Sequence, residues 1–205
     1  MSGKGRALDG ARKRAEAPAW RAPGAGFVVW FTGLSASGKT TIANIIEPEL
    51  ERRGFVVDHL DGDIVRTHLS KGLGFSKEDR DTNIARIGWV ASRLARAGAA
   101  VVVSAISPYE EARRHARGLV EQYAAFVEAH VATPLEECVR RDPKGLYAAA
   151  LAGEIADFTG VSAPYEAPLN PELRLDTTGR TPPESAAEVV ARLEELDLLR
   201  AEVPS

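Results

Sequence analysis

Short apolar runs alternate along this chain with longer stretches whose apolar positions recur every three to four residues. Five runs have strand length: 27–32, 55–60, 99–105, 126–132 and 173–176. They are too short for helices, and most are apolar throughout, as strands buried on both faces are. Helical spacing fills the intervals 38–53, 76–97, 110–123, 134–141, 146–152 and 182–199. In 76–97, for example, Ile84, Ile87, Val90, Ala91 and Leu94 share one face. Strict strand–helix alternation predicts a three-layer α/β domain around a central parallel five-stranded sheet. Gly54 and Gly98 mark helix ends. Ser76 with Asp79 reads as a capping box. Pro48 lies inside the first helical stretch and predicts a kink or an early end there.

Between the first strand and first helix stands Gly33-Leu34-Ser35-Ala36-Ser37-Gly38-Lys39-Thr40-Thr41. It fits G-x-x-x-x-G-K-[ST], and its strand-to-helix setting is the one its mechanism needs. The glycines let the backbone curl around a phosphate chain with its N–H groups inward, and the helix N-terminus adds its dipole. Lys39 brings charge to the β- and γ-phosphates, and Thr40 offers a hydroxyl to Mg²⁺. Nucleoside triphosphate binding follows, without a choice among kinase, GTPase and motor.

Asp61-Gly62-Asp63-Ile64-Val65-Arg66 follows the second strand, at the sheet edge where open α/β folds bind ligands. The alternative is a plain turn with a helix N-cap at Asp63. The ligand reading is preferred because the pair shares a layer with the phosphate loop. The third strand carries Ser104 where many phosphate-loop proteins hold a metal-organising aspartate, so Asp61 and Asp63 are the nearest substitutes. Arg80 and Asn83 lie one helical turn apart and can act on one ligand. The basic run Arg140-Arg141-Asp142-Pro143-Lys144 is either a solvated face or a cover for a transferring phosphate. Residues 158–168 lack periodicity and carry turn residues, and the segment 142–168 is read as a lid. No Asn-Lys-x-Asp guanine-reading motif is present, which disfavours a switch GTPase.

Composition narrows the partners. With 26 basic and 29 acidic residues the formal net charge is −3, so no global field favours nucleic acid. No apolar run is long enough to span a membrane. The single cysteine, Cys138, excludes an internal disulfide and fits a reducing compartment, so a cytoplasmic location is expected. It reads as a buried side chain. The histidines (59, 68, 115 and 130) show no metal-ligand spacing. Residues 1–26 read as a flexible basic tail without a secretory h-region, leaving 27–205 as one domain.

Taken in order, the motifs resemble one family, the adenylylsulfate kinases, over about residues 27–199. The matching pieces are Thr32-Gly33-Leu34-Ser35, Asp61-Gly62-Asp63 with Arg66, Gly72-Leu73-Gly74-Phe75-Ser76 with Glu78-Asp79-Arg80, Asn83-Ile84, Ile106-Ser107-Pro108-Tyr109, Arg141-Asp142-Pro143-Lys144-Gly145-Leu146-Tyr147 and Phe158-Thr159-Gly160. The resemblance implies a P-loop kinase fold that moves the γ-phosphate of ATP to the 3′-hydroxyl of adenosine 5′-phosphosulfate (APS), with Mg²⁺ bridging the phosphates. It implies ATP contacts at Gly33, Ala36, Ser37, Gly38, Lys39, Thr40, Thr41 and Arg140. Asp63 or Asp61 would handle the hydroxyl proton and the metal's waters. Arg66, Arg80, Asn83, Ile106, Ser107, Lys144, Leu146 and Thr159 would hold APS, with Asp63 beside them and Phe75 and Phe158 clasping the adenine. Ser107 matches a serine phosphorylated in some members and is taken first as substrate-binding, then as catalytic. A homodimer and functional coupling to ATP sulfurylase are the expected associations. Two other readings stay open: a kinase for a different small-molecule alcohol, and a non-catalytic nucleotide-binding partner docked through its tail.

Overall fold

The computed structural model describes residues 25–199, and the tail reading of residues 1–26 lies outside them but for the last two. In chain order the elements are β1 (Phe27–Thr32), α1 (Lys39–Arg52), β2 (Val57–Asp61), α2 (Gly62–His68), α3 (Lys77–Arg96), β3 (Ala100–Ser104), α4 (Glu110–Val120), β4 (Ala125–Val131), α5 (Leu135–Arg141), α6 (Leu146–Leu151), β5 (Leu173–Leu175) and α7 (Pro182–Glu195). The strands form one parallel sheet in the order β2-β3-β1-β4-β5.

β1 is central and wholly buried. Its side chains alternate between two cores. Phe27, Val29 and Phe31 pack with α1 and α7, while Val28 and Trp30 pack with α3 and α4. Each such side chain contributes about 1.5–3 kcal/mol when fully buried, which makes β1 the strand that both faces depend on. The chain first moves from β1 out to β2, then returns through β3 and crosses to β4. The order therefore reverses at β1, and the crevice for a ligand opens at the carboxyl end of that strand.

Several boundaries differ from the sequence reading. α1 runs unbroken across Pro48, contrary to the expected kink or early end. Pro48 and Asn44, whose carbonyl loses its helical donor, are both exposed, so water can take the vacant bond. β2 begins at Val57, because Phe55 is still held by Leu50 through its amide at 3.2 Å and packs edge-on against Phe27. The run extends instead to Asp61, which carries that carboxylate to the strand end. α2 is a full helix, and its N-cap is Asp61, not Asp63. Ser76 caps α3 as expected, but Asp79 reaches past it to the amide of Gly74 at 2.8 Å, so only half of the capping box forms. α7 does possess a reciprocal box, between Thr181 and Glu184.

α3 and α4 cross closely at Gly88, where an added Cβ would lie 2.8 Å from Ala116 Cβ and 2.9 Å from its Cα. Helix propensity alone predicts that Gly88→Ala stabilises the protein by about 1 kcal/mol. Overpacking against a backbone atom costs about 1–3 kcal/mol and outweighs it. The expected outcome is a lower denaturation midpoint for Gly88→Ala and a lower one still for Gly88→Leu. A midpoint raised by the alanine would mean that the two helices separate freely at this point.

Candidate active site

Three devices shape the loop after β1. Gly33 passes so close to β4 that a Cβ would sit 2.5 Å from the Val131 carbonyl oxygen. Gly38 turns into α1 with a φ of +109° and no side-chain cap, so the first N–H groups of that helix meet no capping side chain. Two of the loop's carbonyls are gripped from outside. Ser37 O accepts Thr133 Oγ1 and Thr177 Oγ1, each at 3.0 Å, and Arg141 Nη1 at 3.5 Å. Ser35 O accepts the Tyr147 hydroxyl at 3.1 Å. With the carbonyls of Ser35 and Ser37 held outward, the amides of the peptides they belong to, those of Ala36 and Gly38, face the other way, as in an anion-binding nest. Ala36 sits at the tip with φ +58°, and Ser37 Oγ is buried with no hydrogen-bond partner among the described residues. Lys39 is 8 % exposed and donates to Gly33 O at 3.0 Å and Leu34 O at 2.7 Å. Burial pulls its pKa down to about 8 against the attraction of Asp61 and Asp63.

Asp61 is the acid centre. Its Oδ2 accepts Thr40 Oγ1 at 2.8 Å and Ser104 Oγ at 2.9 Å, and its Oδ1 accepts the Asp63 amide at 2.9 Å. Burial would raise its pKa, but the bonds from Thr40, Ser104 and the amides of Asp63 and Ile64 outweigh that and hold it below the usual carboxylate range. Ser104 is opposite Asp61 in the β2–β3 register, so the missing aspartate of β3 is replaced from the next strand. Thr40 gives its one proton to Asp61 and keeps its lone pairs available. That hydroxyl–carboxylate pair suits a hard cation such as Mg²⁺. Asp63 stands apart from this cluster. It is exposed and pairs with Lys144 at 2.5 Å, a bond that raises the lysine's pKa.

The remaining candidates gather around Arg80. This buried guanidinium donates to Phe75 O at 2.8 Å, Thr159 Oγ1 at 3.0 Å and Asp157 O at 2.5 Å. One side chain thus ties the Phe75 loop to the 157–159 segment. Arg66 donates to Gly74 O at 2.9 Å and lies 4.5 Å from the Phe75 ring centroid. Asn83 is buried, and its Oδ1 lacks a partner among the described residues. Phe75 is largely exposed, while Phe158 is half-buried and edge-on to Tyr147 at 5.0 Å. Leu146 and Ile106 are half-buried. Gly160 closes against the phosphate loop, where a Cβ would lie 2.9 Å from Leu34 Cδ2. Ser107 stands apart from the other residues named as catalytic. Its hydroxyl is buried, accepts the Trp30 indole N–H at 3.1 Å and lies 3.4 Å from Ala105 O, rather than meeting Lys39, Asp61 or Asp63.

On the far side of the loop a cavity of about 420 Å³ is lined by Gly38, Thr41, Arg140, Arg141, Thr177, Gly179 and Arg180 among others. Arg140 is at its rim, exposed and held by Glu137 at 2.7 Å. Arg141 is the arginine that touches the loop. It also donates to Thr177 Oγ1 at 2.8 Å and Thr177 O at 3.0 Å. Sequence reasoning missed Thr133, Thr177, Gly179 and Arg180, and it gave Ser104 no role. The available signal was positional: Ser104, Thr133 and Thr177 are small hydroxylic residues at or just beyond the carboxyl ends of parallel strands.

Comparison with known proteins bears on this geometry. Residues 25–176 match the family model for adenylylsulphate kinase. The adenylyl-sulfate kinase of Rippkaea orientalis is 54% identical over 174 residues, 85% of this chain and 94% of that protein. In Sorangium cellulosum a "Probable bifunctional SAT/APS kinase 2" is 55% identical over 171 residues, which is 83% of this chain and 29% of its own. The solved structure of the Mycobacterium tuberculosis APS kinase with AMPPNP and APS superposes with a TM-score of 0.80 at 48% identity, covering 84% of this chain and 99% of that one. A hexameric APS kinase from Thiobacillus denitrificans gives 0.68 at 40% identity, over 86% of this chain and 30% of that one. A phosphate cradle beside an anionic carboxylate, in a chain this similar over this length, leads to one conclusion: the protein belongs to the adenylylsulphate kinase family.

Proposed function

We propose that this chain is an adenylyl-sulfate kinase, passing the γ-phosphate of ATP to the 3′-hydroxyl of APS to give ADP and 3′-phosphoadenosine 5′-phosphosulfate. The observation that carries the reading is the uncapped α1 N-terminus and buried Lys39 set beside Asp61 and across from the Arg80 junction. In this reading the loop amides of Gly33, Ala36, Ser37 and Gly38 hold the triphosphate, with Thr41, Arg140 and Arg141 along the adjoining cavity. Thr40 and Asp61 would hold Mg²⁺, which would supply positive charge against the phosphates. Asp61 already uses both oxygens in hydrogen bonds, so the proton of the 3′-hydroxyl goes to Asp63, whose carboxylate among the described residues pairs with the lysine of an exposed pair. Lys144 then turns from Asp63 to the substrate. Arg66, Arg80, Asn83, Ile106, Ser107, Leu146 and Thr159 hold APS, and Phe75 and Phe158 stack on its base. Ser107 serves here through its backbone and shape. Residues 142–168 act as the lid of a domain spanning 27–205, and the water they exclude strengthens each charge interaction inside.

Association into a homodimer and coupling to ATP sulfurylase belong to the same reading, supported by the hexameric and fused relatives. Light scattering of the purified chain decides the first. No helix among the described residues is long and apolar enough to cross a membrane.

The activity is tested by ADP release from ATP and Mg²⁺ with and without APS. Turnover that needs APS is expected, and folded protein without it overturns the assignment. Asp63→Asn is expected to lower kcat by about 10²-fold or more, while Asp61→Asn raises the Mg²⁺ concentration needed for half-maximal rate. Equal behaviour of the two variants would remove this division of labour.

Lys39 gives a prediction about stability. Its folded pKa of about 8 lies below its ordinary 10.5, so the unfolded chain binds the extra proton. The cost of burying the charge is present in full below pH 8, about 3 kcal/mol, and fades as pH rises towards 10.5. Lys39→Met is therefore expected to bind ATP poorly yet resist urea better than the parent at pH 7, with the advantage shrinking between pH 8 and 10. A constant difference across that range contradicts the burial argument.

A further inference from the structure

We propose that Glu166 is a positioning residue, which from the end of the lid fixes the Ile106–Pro108 turn in the shape that receives APS. The inference rests on the kinase reading above and concerns a residue that plays no part in it.

The turn is held by its three successive carbonyls. Ile106 O accepts Thr32 Oγ1 at 2.7 Å, Ser107 O accepts Arg113 Nη1 at 2.7 Å, and Pro108 O accepts the Glu166 amide at 2.8 Å. Ser107 has a φ of +40°, a conformation that an L-residue keeps only where its surroundings impose it. With all three carbonyls committed to the protein, the opposite edge of the turn is what remains for a ligand.

Glu166 adds a second contact. α4 begins two residues after the turn, and its N-cap, Tyr109, makes no side-chain hydrogen bond. The Glu166 carboxylate supplies that bond instead, accepting the Glu110 amide at 2.7 Å. A carboxylate here also complements the helix dipole. Amide and carboxylate of one lid residue thus grasp both sides of Tyr109, a capping box formed between distant segments.

The helix so fixed carries Arg113. This arginine is 1 % exposed, and besides Ser107 O it binds Glu128 at 3.0 Å and Glu110 at 2.5 Å. Glu110, whose amide Glu166 caps, is therefore also a partner of the arginine that holds the turn. Tyr165, next to Glu166, meets Thr32 Oγ1 at 3.0 Å, the same hydroxyl that holds Ile106 O. Tyr165 thus reaches β1, while Glu166 is the residue that fastens the returning end of the lid to the substrate turn itself, so order at one is transmitted to the other.

The test is steady-state kinetics of the whole chain with ATP, Mg²⁺ and APS, joined to amide hydrogen exchange without ligands. Glu166→Ala is expected to raise KM for APS about tenfold, with KM for ATP within about twofold, and Glu166→Gln, which keeps an acceptor, to restore most of the loss. Tyr165→Phe removes the hydroxyl but leaves Glu166 in place, and should change KM for APS by less than about threefold. Exchange in Glu166→Ala should quicken at residues 106–113 and remain unchanged in α1. An unaltered KM for APS, equal rises in both KM values, or an equal effect from Tyr165→Phe overturns the proposal. A parent protein without APS turnover overturns the kinase reading, and this proposal with it, whereas normal parent turnover with an indifferent Glu166→Ala sinks this proposal alone.

Discussion

The site depends on keeping the carbonyls of Ser35 and Ser37 turned away from the centre of a short loop. A peptide carries a donor and an acceptor on opposite sides, so fixing one fixes the direction of the other. Thr133, Thr177 and Arg141 converge on the carbonyl of Ser37, while Tyr147 holds that of Ser35. These groups come from just beyond β4 and β5, from the last residue of α5 and from the start of α6. Loss of that grip would let the loop rotate its oxygens inward, and a ring of carbonyls repels phosphate. The glycines make the loop conformation possible, but the surrounding residues make it the one occupied.

The same economy appears at the acid centre. A carboxylate on β2 can serve a loop that follows β1 only because β3 lies between them and offers Ser104 as a bridge. Behind Ser104 stands His59, 2.8 Å away, whose ring faces Glu47 of α1. Since the serine and threonine protons both go to Asp61, the histidine must be the donor to Ser104. A line of hydrogen bonds thus runs from His59 on β2 through Ser104 on β3 and Asp61 to Thr40 in the first turn of α1, holding the carboxylate ionised and aimed at Thr40.

The segment 142–168, proposed as a lid, is tied to the rest of the protein at several places along its length. Lys144 meets Asp63, Thr159 and Asp157 meet Arg80, Gly160 rests on Leu34, and Tyr165 and Glu166 reach the end of β1 and the start of α4. In the proposed kinase reading these contacts fall on three parts of the site: proton acceptor, sulfated nucleotide and triphosphate. The exposed Lys144–Asp63 pair is individually weak, which suits the exchange of partners proposed for it.

The sequence alone determined much. Apolar periodicity gave all five strands and the main helices, because buried strands and amphipathic helices differ in period. The G-x-x-x-x-G-K-T spacing gave the loop, Lys39 and Thr40, because that chemistry is local, and ordered motifs gave the family. It misread Pro48 because exposure, a tertiary property, decides whether an orphaned carbonyl is costly. It could not divide labour between Asp61 and Asp63, two residues apart on paper but pointed by the start of α2 into different surroundings. It could not choose Arg141 over Arg140, since one position on α5 decides which guanidinium faces Thr177. Nor could it find Thr133, Thr177 or Glu166. Their significance lies in what they touch across gaps of many residues, and only the packing of strands β1, β4 and β5 and the return of the lid brings those partners together.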